Sequence, residues 1–140
     1  MNTAEHEIHT LTKTWLAACR ALDMGGIMAN YAEDIVSYDA VVGLRFVGLD
    51  AYREHWKMCV EHCPGPMVFD MPELSIVAND SLGICHSLLN CGAEDNGELK
   101  TSWMRATICW RKTDRWRVFH EHFSAPFDMD TGQALFDLTP

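Results

Sequence analysis

Apolar residues recur every three or four positions in the first half of the chain and every second position in much of the second half. Ile8, Leu11, Trp15, Cys19 and Leu22 mark one face of a first helix, the spacing of an amphipathic helix. Thr3 or a neighbour is placed to cap it. Asp23 and the Gly25-Gly26 pair break it, and a short second helix follows through Ile27, Met28 and Tyr31. The runs Asp34 to Asp39 and Leu44 to Val47 predict short strands, the second bracketed by Gly43 and Gly48. A third helix is expected from Asp50 to about Cys63, with Tyr52, Trp56, Cys59 and Cys63 on one face. Pro64-Gly65-Pro66 stops it.

Beyond that stop the pattern is β. Four runs, Met67 to Ala78, Leu82 to Ala93, Leu99 to Lys112 and Trp116 to Ser124, are separated by turn-forming residues: Asn79-Asp80, Asp95-Asn96-Gly97 and Thr113-Asp114. Helices first and a long antiparallel meander afterwards predict an α+β domain, with the helices on one face of the sheet. The 140 residues fit one domain, with a core over residues 5–127 and a loosely specified tail after Pro126. No repeat or linker interrupts it.

The last hairpin allows a finer reading. An even-numbered connection centred on Thr113-Asp114 would set Arg111 opposite Trp116, Cys109 opposite Val118, Thr107 opposite His120, Arg105 opposite His122 and Trp103 opposite Ser124. Opposed residues share a face. One face then carries Trp103, Arg105, Thr107, Cys109, Trp116, Val118, His120, His122 and Ser124. The other carries Met104, Ala106, Ile108, Trp110, Phe119 and Phe123, with Glu121 and Arg117. Neither face is simply polar, so both are expected to be covered: the mixed face by the helices, around a pocket, and the apolar face by a second subunit. A bulge or an odd-length turn would exchange these assignments.

Charge narrows the possible partners. Twenty acidic against 11 basic residues give a net charge of -9, which argues against nucleic acid, since phosphate contact needs a clustered cationic face. The basic run Arg111-Lys112, Arg115 and Arg117 reads as a solvated turn. No apolar run approaches the roughly 18 residues of a membrane span. The first seven residues lack a basic stretch leading into an apolar one, so the expected home is the cytoplasm. In that reducing setting Cys19, Cys59, Cys63, Cys85, Cys91 and Cys109 read as small buried hydrophobes. Cys59 and Cys63, with His55 and His62 nearby, lack the second ligand pair of a zinc site, and no metal is expected there. No nucleotide loop, nucleophile elbow or redox cysteine pair occurs.

Several stretches together resemble the cone-shaped superfamily of nuclear transport factor 2, ketosteroid isomerase and SnoaL-like proteins. They are Tyr31-Ala32-Glu33-Asp34, Gly48 ahead of the third helix, Arg105 to Lys112, and the closing Trp116-Arg117-Val118-Phe119-His120-Glu121-His122-Phe123-Ser124. The closing pattern is also similar to the association domain of the calmodulin-dependent kinases. The resemblance implies a cystatin-like fold: a curved antiparallel sheet wrapped on about three N-terminal helices around one pocket. It further implies work without a cofactor, and a homodimer through the convex sheet face, which the hairpin argument assigns to Met104, Ile108, Trp110, Phe119 and Phe123. In ketosteroid isomerases an aspartate just after a Tyr-Ala-acid-Asp run is the general base, and Asp39 matches it. Trp15 stands about where their oxyanion-hole tyrosine would be, and Ala106 or a neighbour where their late-strand acid would be.

The candidate site therefore joins Asp39, as base, to His120 and His122, whose imidazoles can donate or accept a proton near neutral pH. The alternative for both histidines is a structural hydrogen bond, or a metal site shared with Asp39 or His86. Arg105 could hold a ligand's carboxylate or enolate, or pair with a neighbouring acid. Trp15, Trp56, Trp103 and Trp116 could line the pocket around a flat apolar ligand. Two functions fit. One is a cofactor-free isomerase, dehydratase or cyclase acting on a hydrophobic carbonyl or polyketide-like compound. The other is a non-catalytic module that binds a small hydrophobic or carboxylate ligand, or assembles subunits.

Overall fold

The computed structural model describes residues 1–140. Helix α1 (Thr3–Arg20) is capped by Asn2, not Thr3: the Asn2 side chain accepts from the Glu5 amide at 2.9 Å, and the Glu5 carboxylate accepts from the Asn2 amide at 2.9 Å. This reciprocal arrangement satisfies two backbone donors that the first turn leaves free. Helix α2 (Met24–Met28) is a single turn or so. Strand β1 (Tyr31–Tyr38) starts earlier than the alternation predicts, taking Tyr31 from the second helix. Asp39 lies just beyond the strand's end.

The short β2 (Phe46–Val47) leads through Gly48, at φ 88°, into α3 (Leu49–His62). That φ is one glycine adopts without penalty. The run Met67 to Ala78 divides into β3 (Met67–Asp70) and β4 (Ser75–Ala78), with Pro72 in the break, since proline cannot donate to a ladder. Strands β5 (Leu82–Asp95) and β6 (Glu98–Lys112) form a long hairpin whose two turn residues, Asn96 and Gly97, both have positive φ. Two such residues are what the tightest hairpin turn requires. Strand β7 (Trp116–Ser124) completes a seven-stranded sheet ordered β2-β1-β7-β6-β5-β3, with β4 also on β5. One junction is parallel, β1 against β7, and it brings the end of β1 beside the end of β7.

The core lies between the helices and the concave side of the sheet. Ile8, Trp15, Leu16 and Cys19 of α1 pack with Tyr52 and Trp56 of α3 and with Ile108, Trp110 and Phe123 of the sheet.

The register of the last hairpin corrects the face assignment. Its connection has three residues, so Trp116 faces Lys112 and Val118 faces Trp110. A bulge at Phe119 then shifts the pairing, and His120 faces Cys109, Glu121 faces Ile108, His122 faces Thr107 and Phe123 faces Ala106. One extra residue in a strand turns every later side chain to the opposite face. Trp116 and Val118 therefore join Trp110, Ile108, Glu121 and Phe123 on the inside.

The surface expected to meet a second subunit is corrected with it. Ile108, Trp110 and Phe123 are 1%, 2% and 4% exposed in the single chain, and Met104 packs against the same core. Phe119 alone of that group lies outside, beneath the Arg111 guanidinium. The chain covers its most apolar sheet face with its own helices, because that burial gains the most per residue.

Candidate functional site

Between α3 and the sheet lies a cavity of about 200 Å³. Trp56 and Cys59 reach it from α3, Phe69 from β3, Leu89 from β5, Met104 from β6 and Phe123 from β7. Of its ten lining residues nine are hydrophobic, and the tenth is Asp39. One carboxylate thus stands on an otherwise apolar wall.

The Asp39 side chain is 16% exposed, and that of its partner His55 is 2% exposed. Oδ2 of Asp39 meets Nε2 of His55, while Oδ1 accepts from the Ala40 amide at 2.7 Å. A carboxylate only accepts, so Nε2 of His55 carries the proton and donates it. The imidazole is held flat against Phe46, ring centres 4.0 Å apart and planes 19° apart. Cys59 Sγ is 3.8 Å from the same nitrogen. Burial, and then the charge of Asp39, push its thiol up to about 11, so it stays protonated at neutral pH.

A second polar group is sealed deeper in the cone. Glu121 is fully buried, and its Oε1 accepts from the Tyr31 hydroxyl at 2.6 Å and the Tyr52 hydroxyl at 2.5 Å. Trp15 donates its indole N–H to the Tyr31 oxygen at 3.2 Å. Oε2 of Glu121 has no partner. Burial raises the Glu121 carboxyl to about 7 against the opposing pull of the two hydroxyls, and the Asp39 charge pushes the same way as burial. Both tyrosines are held well above their ordinary value, by burial first and then by the Glu121 charge.

The residues expected from sequence are distributed as follows. Asp39 and Trp56 line the cavity. Trp15 is in the core, its donor already used by Tyr31. Trp116 donates to Glu7 at 2.6 Å, far along the sheet from Asp39. Arg105, exposed, and Trp103, half-buried, share the outer face with Thr107 and Cys109, so Arg105 lacks the buried setting that would require an anion. His120 and His122 lie on that outer face too: Nδ1 of His120 donates to the Val36 carbonyl at 2.6 Å, and His122 borders an open cleft outside the cavity.

Three contributors were missed. His55 sits on the helix face already marked by Tyr52, Trp56 and Cys59, a position the 3.6-residue period exposes. Glu121 was legible as a charge placed on an otherwise apolar face. Tyr31 was assigned to the wrong element.

A cone of helices and bent sheet with one carboxylate on an apolar inner wall defines a class of pocket proteins. Within it, the SnoaL-like domain family matches residues 8–128, and the chain belongs to that family. Among curated proteins none matches. Among solved structures the chain is similar to an NTF2-like protein of unknown function from Pseudomonas putida KT2440, at 47% identity and TM-score 0.92, over 100% of this chain and 99% of that one. A ketosteroid isomerase-like protein from Erwinia carotovora atroseptica SCRI1043 shares the fold at 17% identity and TM-score 0.71, over 89% of this chain and 97% of that one. So does the CamKII hub homology domain of Chlamydamonas reinhardtii, at 21% identity and TM-score 0.72, over 87% and 98%. No helix is long and apolar enough to cross a membrane.

Proposed function

We propose that this chain is a cofactor-free acid–base catalyst, an isomerase, dehydratase or cyclase, acting on a small hydrophobic carbonyl compound. The observation that carries the reading is Asp39, the one carboxyl group on the cavity wall, oriented by His55. Its carboxylate would take a proton from the carbon next to the carbonyl. The C–H electron pair moves onto the carbonyl oxygen as an enolate. The proton then returns to another carbon in an isomerisation, or to a departing hydroxyl in a dehydration. His55 is a positioning residue in this scheme.

The test is deuterium uptake at the α-carbon of small ketones such as acetophenone, followed by proton NMR in heavy water. We expect protein-dependent exchange that Asp39→Asn lowers by about 100-fold or more. Absence of exchange, or an undiminished rate in the variant, rejects the reading.

A second reading concerns assembly. Leu82 and Ile84 on β5 are more than half exposed, and Ile84 stands opposite Cys109 on the outer sheet face. We propose that a second copy covers this face, in keeping with the hub-type relative. Light scattering should then give about twice the 15.9 kDa chain mass, and Ile84→Lys should return it to the single-chain value. A wild-type mass of one chain removes the reading.

A further inference from the structure

A second space adjoins the cavity. Outside it lies an open cleft of about 710 Å³, between the loop that follows β1 and the C-terminal tail. Asp39, Val41 and Phe123 line both spaces and so stand between them. The inner chamber is smaller than the roughly 300–1,000 Å³ of ordinary ligand sites. Asp39 borders both spaces, so a ligand of ordinary size held beside it has room in the outer one.

The two chambers differ in chemistry. The inner one offers the Asp39 carboxylate and the Trp56 indole N–H, which has no partner in the chain, on an otherwise apolar wall. The outer one adds Tyr38, Arg45, His122 and Ser124 to an apolar lining. Arg53, Arg111 and Arg117 each hold a carboxylate; Arg20, Arg45, Arg105 and Arg115 hold none, and of these four only Arg45 lines the cleft. Arg45 is exposed and so does not require an anion, but it lines the same cleft as Asp39 with no carboxylate of the chain on it, and is open to one from a ligand. The planar guanidinium matches a carboxylate with two parallel hydrogen bonds. The loop that carries it also holds Val42 at φ 74°, a conformation that costs a β-branched residue energy.

We propose that the ligand is an amphipathic keto acid: its apolar, carbonyl-bearing end fills the inner chamber beside Asp39, and its carboxylate lies in the outer chamber against Arg45. This deepens the acid–base reading above and rests on it for the carbonyl. The carboxylate end stands on the outer chamber alone.

The experiment is calorimetric titration with benzoylpropionate and with its methyl ester. The wild-type protein should bind the acid about tenfold more tightly than the ester. Arg45→Gln should bring the acid to the affinity of the ester and leave the ester unchanged. Lys57→Gln, which removes an exposed charge on α3, should alter neither. Equal binding of acid and ester, an Arg45→Gln variant that still prefers the acid, or no binding of either compound overturns the proposal. Exchange at the ester's α-carbon that depends on Asp39 reads the acid–base scheme separately. Exchange without acid preference sinks the keto acid and leaves the base standing, and the reverse result does the opposite.

Discussion

Asp39 and Glu121 are both carboxylates withdrawn from water inside the same cone, and they do different work. Asp39 divides its bonds between an imidazole and a backbone amide and still faces a cavity. Glu121 concentrates two tyrosine hydroxyls on one oxygen and faces none of the larger spaces. The void beside it is about 10 Å³, room for roughly one water. The carboxyl that burial perturbs is thus one that no substrate reaches. A raised pKa marks burial first, and reactivity only where a substrate can reach the group. Glu121 reads as a structural device that ties β7 to β1 and α3 and so fixes the walls on which Asp39 and His55 stand.

The hardest test of that contrast removes the hydroxyls. Tyr31→Phe with Tyr52→Phe leaves Glu121 buried without a donor. Hydrogen bonds to a charged group are worth roughly 1.5–3 kcal/mol each, so the double variant should lose about 3–6 kcal/mol at pH 8. Near pH 5, where the carboxyl is neutral, the loss should be clearly smaller. Urea denaturation at the two pH values reads both, and the single variants keep the measurement in range if the double variant does not fold. An equal loss at both pH values would mean that the hydroxyls serve packing rather than charge.

Much of this arrangement is legible in the alternation of the chain, and the largest failure has one physical origin. The three helices, the long β5–β6 hairpin and the α+β architecture follow from apolar spacing and turn residues, and the SnoaL-like resemblance is confirmed by the family match. The faces of β7 did not follow. His120 and His122 alternate correctly with Glu121 and Phe123, but a three-residue turn and one bulged residue, Phe119, decide which set points inward. A period of two carries no information about its own phase. Glu121 held the missing clue in the opposite sense to the one expected: a charge among Ile108, Trp110 and Phe123 looked like a reason to leave that face for a partner. The fold instead buried it with two tyrosines drawn from β1 and α3. Asp39, expected from its place after the run Tyr31 to Asp34, does line the cavity. His55 stands on a helix face that the period marks, but its pairing with Asp39, 16 positions away, is set only by the tertiary fold.

A gentler measurement sharpens the comparison without breaking contacts. The Glu121 carboxyl rises from its ordinary 4.5 to about 7 in the folded chain. Between those values the folded state holds a proton that the unfolded state has released, so stability must fall as pH rises through that window. The contribution is complete below about 4.5 and gone above about 7. It amounts to about 3 kcal/mol at 1.36 kcal/mol per pH unit. Glu121→Gln keeps an oxygen for the two hydroxyls and cannot ionise. It should match the wild type near pH 5 within about 1 kcal/mol and exceed it near pH 8 by about 3 kcal/mol. Chemical denaturation across that range gives both curves. Parallel curves would show that the two hydroxyls hold Glu121 ionised throughout, and the core carboxylate would then be a permanent charge beside Asp39.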